Sequence, residues 1–159
     1  MPPTALGLVA QTTTSKGYEG ATDESGPWII TLYIPSYLPI TQHALNRSLL
    51  EELYRAYVTR APSGGLDNTP VIDQILRLRS ERAKLLGYNN YAEVSMGMKM
   101  ATIEKVEALL EKIQTASRDY AVQGPEDLKT LAKEQHAEEA NDMCHWDIRF
   151  WSDRLRCQM

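Results

Sequence analysis

The sequence lacks the features that several classes of protein require. In its 159 residues it has 2 cysteines, 3 histidines and 1 phenylalanine. No apolar run approaches the ~20 residues of a membrane-spanning helix, so we expect no membrane partner. The formal net charge is −4, and lysine and arginine form no cluster. A nucleic-acid-binding protein usually carries a basic face, so we expect no nucleic-acid partner either.

The two cysteines and the first residues bear on the compartment. Cys144 and Cys157 would lie roughly 20 Å apart on one helix at ~1.5 Å per residue, which is too far for a disulfide. We therefore predict reduced thiols. The opening residues, "MPPTALGLVAQTTTSKGYEG", have no basic start, no long apolar segment and no arginine. They do not fit a signal or transit peptide, and we predict a cytoplasmic location.

One short stretch has the pattern of a β-strand. The run "WIITLYI", from Trp28 to Ile34, is β-branched and aromatic and lies between two prolines. We find no clear second strand, and a lone strand leaves a row of unpaired backbone groups. Its partner is expected to be a short irregular segment, another chain or a missing part.

The rest of the chain has helical periodicity. Beyond a first helix capped by Thr4, helices are predicted from Thr41 onward, with caps at Thr69, at Asn89 or Asn90, and at Thr102. Gly87 should end one helix, and Gly124 with Pro125 should kink or break another. The fold class predicted is mainly α, a bundle-like single domain over 1–159 with one short isolated strand at about 28–34.

The residues that could carry chemistry are few. His43, His136 and His145 do not stand four residues apart, so the sequence has no H-E-x-x-H pair for zinc. It also has no phosphate-binding loop, no dinucleotide fingerprint and no nucleophile elbow. Cys144 and His145 are adjacent and would point in different directions on a helix. We therefore predict no catalytic, cofactor-binding or metal-binding residue.

Four blocks of the sequence together resemble a known family. They are "ALGL", the run from Trp28 to Ala61 containing "PSYLP", the run from Leu66 to Ala101 containing "LLGYNNYAE", and "HWDIRFWSDRLR". In this order they resemble the thimet oligopeptidase and oligopeptidase A family of zinc metallopeptidases, and most of all its plant members. The likeness covers nearly the whole chain.

The resemblance implies a mostly helical fold with a channel that admits short peptides. It also implies that zinc is held on an H-E-F-G-H helix with a downstream glutamate, and none of these residues has a counterpart here. We expect a truncated relative that ends before the catalytic portion and also lacks any targeting segment and the first helical portion. Zinc is expected only in full-length relatives.

The chain ends in the aromatic segment "HWDIRFWSDRLRCQM". A helix that is apolar on more than one face is usually buried on more than one side. In the full-length relatives, later chain is expected to cover one of these sides. We therefore expect one apolar side of this segment to be exposed here. The predicted interface residues are Trp146, Phe150, Trp151, Leu155, Trp28, Ile30 and Leu32.

Two functions follow from these expectations. The first is a non-catalytic protein- or peptide-interaction module, which dimerises or binds a partner such as the full-length oligopeptidase. Short peptides are a further candidate ligand. The alternative is part of a metalloendopeptidase that acts on oligopeptides only when the catalytic portion completes it.

Overall fold

The computed structural model describes residues 2–158, and helix predominates among them. The seven α-helices within this range are α1 (Pro3–Ser15), α2 (Ile34–His43), α3 (Arg47–Val58), α4 (Thr69–Leu85), α5 (Tyr91–Met96), α6 (Ile103–Glu134) and α7 (Ile148–Gln158). Two 3₁₀ turns lie at Gly64–Leu66 and Glu138–Asn141. The prediction of a mainly α fold is confirmed.

The predicted strand at 28–34 is wrong, since no strand occurs within residues 2–158. Two backbone donors of this segment bond to side-chain hydroxyls instead of to a neighbouring strand. The Ile29 N–H donates to Thr13 Oγ1 at 2.6 Å, and the Thr31 N–H donates to Ser36 Oγ at 3.0 Å. The segment is irregular because helices α1 and α2 supply acceptors that a sheet would otherwise provide.

The chain divides into two compact units. The first comprises Met1–Thr59 and Gly124–Met159, and the second comprises Arg60–Gln123. Helix α6 runs through Gly124 and Pro125 without interruption, so the break predicted there does not occur. A single helical domain over 1–159 stays a prediction.

In the first unit, two helices begin at residues other than those predicted. Helix α1 begins at Pro3, so Thr4 lies inside its first turn and does not cap it. Helix α2 begins at Ile34, seven residues before the predicted start at Thr41, and Pro35 occupies its first turn. Proline suits that position because the first helical N–H groups have no intrahelical partner.

A short break, which the sequence pattern did not predict, separates α2 from α3. Ala44 is extended, and the side chain of Asn46 accepts a hydrogen bond from the Leu49 N–H at 3.1 Å. This is an N-cap, which satisfies one of the unpaired donors at the start of α3.

The core of the first unit is built where α2 packs against α1, α3 and α7. Its buried hydrophobic side chains include Val9, Tyr37, Ile40, Leu50, Leu53, Leu128, Leu131, Phe150 and Trp151. Tyr37 stacks on Tyr57 with ring centroids 4.6 Å apart. Burial is also the main reason that the pKa of Tyr37 is raised. The C-terminal part of α6 therefore joins the core through leucines, while α7 joins it through aromatic rings.

A buried ion pair links α3 to the turn before α7. Asp147 is only 2% exposed, and Arg47 Nη2 lies 2.9 Å from its Oδ2. Arg47 Nε donates to Asp147 Oδ1 at 3.0 Å, and the Cys144 N–H donates to Asp147 Oδ2 at 2.8 Å. The hydrogen bond to Asp147 raises the pKa of Arg47 above its ordinary value. A carboxylate this deeply buried needs these partners to offset its lost hydration.

The second unit has well-formed ends to its helices. Asn90 caps α5 by accepting from the Glu93 N–H at 3.0 Å, and Thr102 Oγ1 accepts from the Lys105 N–H at 3.4 Å, as predicted. Gly87 has φ +79° just after α4, which confirms its role as a helix stop. Helix α4 begins at Thr69 itself, one residue before the predicted first turn, with Asn68 at the cap position. Helix α4 packs against α5.

The Arg47–Asp147 pair makes a prediction about stability. We expect Asp147→Ala to lower the free energy of unfolding by about 2–3 kcal/mol, because three donors lose their acceptor. The loss should be smaller than the ~3–5 kcal/mol of a fully buried pair, since Arg47 is partly exposed. Urea unfolding followed by circular dichroism measures it. Glu126→Ala, which breaks an exposed pair with Lys129, is the control and should cost less than about 0.5 kcal/mol.

The core aromatic of α7 makes a second prediction. Trp151 is 2% exposed and its Nε1 donates to Glu139 Oε1 at 3.2 Å. Trp151→Ala should destabilise the chain by about 3–5 kcal/mol, because it leaves a cavity and an unpaired carboxylate. Trp28 is 40% exposed, so Trp28→Ala should cost less than half as much. Equal losses of stability for the two variants in thermal unfolding would contradict this prediction.

Candidate functional site

The predicted interface residues all lie in the first unit, with very different exposure. Phe150 and Trp151 are buried in its core, while Trp146 and Leu155 are partly buried and pack against that core. Two of the four α7-region residues are therefore covered by the chain's own helices. The interface assigned to this aromatic segment stays a prediction.

Trp146 retains one unused donor. Its ring lies against Tyr54, with centroids 6.1 Å apart, and under the Arg55 guanidinium at 5.2 Å. Its Nε1 is buried and has no hydrogen-bond partner among residues 2–158. A buried unpaired N–H is unfavourable, so a small shift that lets it reach an acceptor would be stabilising.

The other three predicted residues come from the irregular segment after Pro27. Ile30 and Leu32 are partly buried against the core, and the Trp28 Nε1 donates to the Thr22 carbonyl at 2.8 Å. Trp28 and Ile30 contribute to an apolar pocket of about 170 Å³. Its remaining lining residues are Leu6, Val9, Ile40, Ala44 and Leu49. The pocket is smaller than the ~300 Å³ at which small-molecule sites usually begin.

A wider groove lies between α6 and α7 in the same unit. It has a volume of about 370 Å³ and an apolar lining that includes Pro125, Leu128, Ile148 and Leu155. Gly124 forms part of the wall, and a Cβ added there would meet no atom within 4 Å. The groove carries few polar groups, so it offers a surface for apolar side chains and no acid–base chemistry.

The polar residues beside this groove form a structural cluster. Asp153 is 8% exposed; its Oδ2 lies 3.5 Å from His43 Nδ1, and its Oδ1 accepts from Gln42 Nε2 at 3.3 Å. Arg156 also bonds to Asp153. Nearby, Arg154 lies over the Phe150 ring at 3.3 Å, and its burial lowers its pKa. The cluster ties α2 to α7.

The residues present do not fit zinc. His43 is engaged with Asp153, His145 stacks on Tyr54 at 6.0 Å, and His136 lies just past the end of α6. Within the described part of the chain, no group of three or more His, Cys, Asp or Glu side chains could hold a metal ion. Cys144 and Cys157 are free thiols in the structure. No helix of residues 2–158 is long and apolar enough to cross a membrane.

The most exposed apolar surface lies outside the predicted interface residues. Among residues 2–158, 16 of the 23 exposed large hydrophobic side chains belong to the second unit. On α4 and α6 they follow a helical spacing that is typical of a core-facing side, so the sequence pattern alone indicates burial for these residues. We call the residues Val71, Ile72, Ile75, Leu76 and Leu78 the α4 face, and Ile103, Val106, Leu110, Ile113 and Tyr120 the α6 face.

Comparison with known proteins explains the sequence pattern. The family model "Peptidase family M3" matches residues 40–159. Organellar oligopeptidase A, chloroplastic/mitochondrial, from Arabidopsis thaliana is 67% identical over 98% of this chain and 20% of its own length. Probable cytosolic oligopeptidase A from the same plant is 65% identical over 98% of this chain and 22% of its own length.

A bacterial relative extends the comparison. Oligopeptidase A from Escherichia coli (strain K12) is 36% identical over 98% of this chain and 22% of its own length. The chain spans about a fifth of the length of the curated relatives that it matches. The family model covers well over half of the chain, and the likeness to the relatives includes both compact units. The chain belongs to peptidase family M3 and corresponds to one stretch of an oligopeptidase A.

Proposed function

We propose that this chain is a non-catalytic interaction module of the oligopeptidase family, whose partner is an oligopeptidase chain. The observation that carries the proposal is the exposure of the α4 face and the α6 face, which together place many large apolar side chains in solvent. Exposed apolar surfaces of this kind mark protein interfaces.

The residues of the isolated chain lack the arrangement that metal-assisted catalysis needs. Metal-assisted hydrolysis needs a metal-activated water and a group to accept its proton. The sequence has no H-E-x-x-H pair, and its histidines are dispersed, with two of them already engaged with Asp153 and Tyr54. Nothing in this arrangement supplies that chemistry.

A second function is favoured by the extent of the match. The chain corresponds to about a fifth of relatives named as oligopeptidases, so it could form part of a metalloendopeptidase once the remaining portion is supplied. Its activity on short peptides would then belong to the completed assembly. The apolar grooves of the first unit are compatible with short peptides as a further ligand class.

The remaining proposals concern assembly and location. Self-association is proposed through the partly buried Trp146 and Leu155 of the C-terminal aromatic segment. A cytoplasmic location is supported by the likeness to a probable cytosolic oligopeptidase A, although an organellar relative is equally similar. The acidic net charge of −4 supports a protein partner over a nucleic acid.

The non-catalytic proposal predicts the behaviour of the purified chain. After incubation with zinc and exhaustive dialysis, it should retain far less than one zinc per chain and cleave a short quenched-fluorescence peptide no faster than buffer. Full-length oligopeptidase A from Escherichia coli is the positive control in both assays. Stoichiometric zinc together with peptide cleavage would overturn the proposal.

The choice between the two functions rests on a test between separate chains. The chain is co-expressed with the cytosolic Arabidopsis thaliana relative from which the matching fifth has been deleted. Copurification without peptidase activity supports the interaction module, and copurification with activity supports the completed enzyme. The relative's own matching segment, supplied as a separate chain, is the control. Absence of binding by this chain contradicts both functions, whether or not the control segment binds.

A further inference from the structure

The second compact unit, Arg60–Gln123, does not build a hydrophobic core of its own. Among its residues, Ala83 is the one hydrophobic side chain counted as buried. Apolar side chains that lie along one side of a regular helix and yet remain in solvent are typical of elements that another part of a larger fold covers.

The α6 face has the spacing of a helix-packing seam. Its members follow one another at intervals of three, four, three and seven residues, which places them on one side of the helix. Leu110, Ile113 and Tyr120 are 60%, 54% and 82% exposed. Charged residues such as Glu104, Glu111 and Lys112 occupy other positions of the same helix. The apolar side is therefore organised as one face, and it is not a scatter of single surface residues.

The α4 face presents a second set of apolar side chains. Ile72 and Leu76 form one stripe and are 52% and 57% exposed; Val71, Ile75 and Leu78 form a neighbouring one. The short helix α5 packs against α4, and Arg79 lies over the Tyr91 ring at 5.0 Å. Between α4 and the part of α6 within this unit, no close Cα approach occurs among the described residues. The two faces thus do not cover each other.

We propose that the α4 and α6 faces are the docking surface for the portion of an oligopeptidase chain that this sequence does not match. The inference rests on the proposed function and names the surface that performs it. Relatives align with this chain over both compact units, yet about four fifths of their length lies outside the alignment. In the longer proteins, this unaligned portion of the chain can cover the two faces.

A second copy of this chain fits the α6 face less well. The seam from Ile103 to Tyr120 has only about two and a half heptads, fewer than the three to four that typically indicate a self-standing coiled coil. Ser117 occupies one of the seam positions, and Gly124 and Pro125 follow the seam along the helix.

The test uses the co-expressed pair described above, with Leu110→Glu/Ile113→Glu in this chain. The double variant should weaken binding to the deleted oligopeptidase by at least about tenfold, because two charges would enter an apolar contact. Leu45→Glu is the matched control: Leu45 is 83% exposed and belongs to the first unit, so its variant should bind within about twofold of the unchanged chain.

A milder variant protects the test against misfolding. Tyr120→Ser removes one exposed ring from the same seam and should weaken binding while far-UV circular dichroism stays unchanged. Unweakened binding by both variants would overturn the docking surface and leave the proposed function standing. No binding by the unchanged chain would overturn the proposed function itself. A dimer of the isolated chain, seen by light scattering and lost in the double variant, would assign the face to a second copy and overturn the chosen occupant.

Discussion

The ion pair between Arg47 and Asp147 is the constraint on which the first compact unit depends. It joins residues 100 positions apart, at the first turn of α3 and just before α7. Asp147 can be buried only when the guanidinium of Arg47 and the Cys144 N–H reach it together. Beyond this contact α7 packs on α2, with Phe150 and Trp151 in the core. The ion pair and the aromatic packing therefore lie at neighbouring positions, at the start of α7.

The second unit also consists of helices with apolar stripes, but α4 and α6 are not joined by a contact of this kind. Its helices are specified locally, by the Asn90 cap, by Thr102 and by the positive φ of Gly87. Its apolar stripes remain in solvent because α4 and α6 do not pack on each other. Local signals can shape a helix, but burial of its apolar face needs a second surface. The proposed docking partner, the unmatched portion of an oligopeptidase chain, would supply that surface.

The candidate functional residues also differ between the two units. The residues that one would test first for metal chemistry are used for structure in the first unit: His43 contacts Asp153 and His145 stacks on Tyr54. The aromatic residues that one would test first for an interface include Phe150 and Trp151, which the unit buries. What remains available to a partner is the apolar surface of residues 60–123, together with the shallow grooves beside α7 and around Trp28.

The sequence by itself determined the helical class, a cap at Asn89 or Asn90, the cap at Thr102, the stop at Gly87 and the family, because each depends on local periodicity, on a side chain within a few residues or on a pattern of blocks. It could not determine the segment from Trp28 to Tyr33, whose β-rich composition was overruled by Thr13 and Ser36 hydroxyls that accept its N–H groups. Nor could it tell which apolar stripes are buried. The heptads of α6 and the aromatics of α7 look equally core-like in sequence, and only the tertiary structure decided that α7 is covered by α2 while α6 presents its seam to solvent.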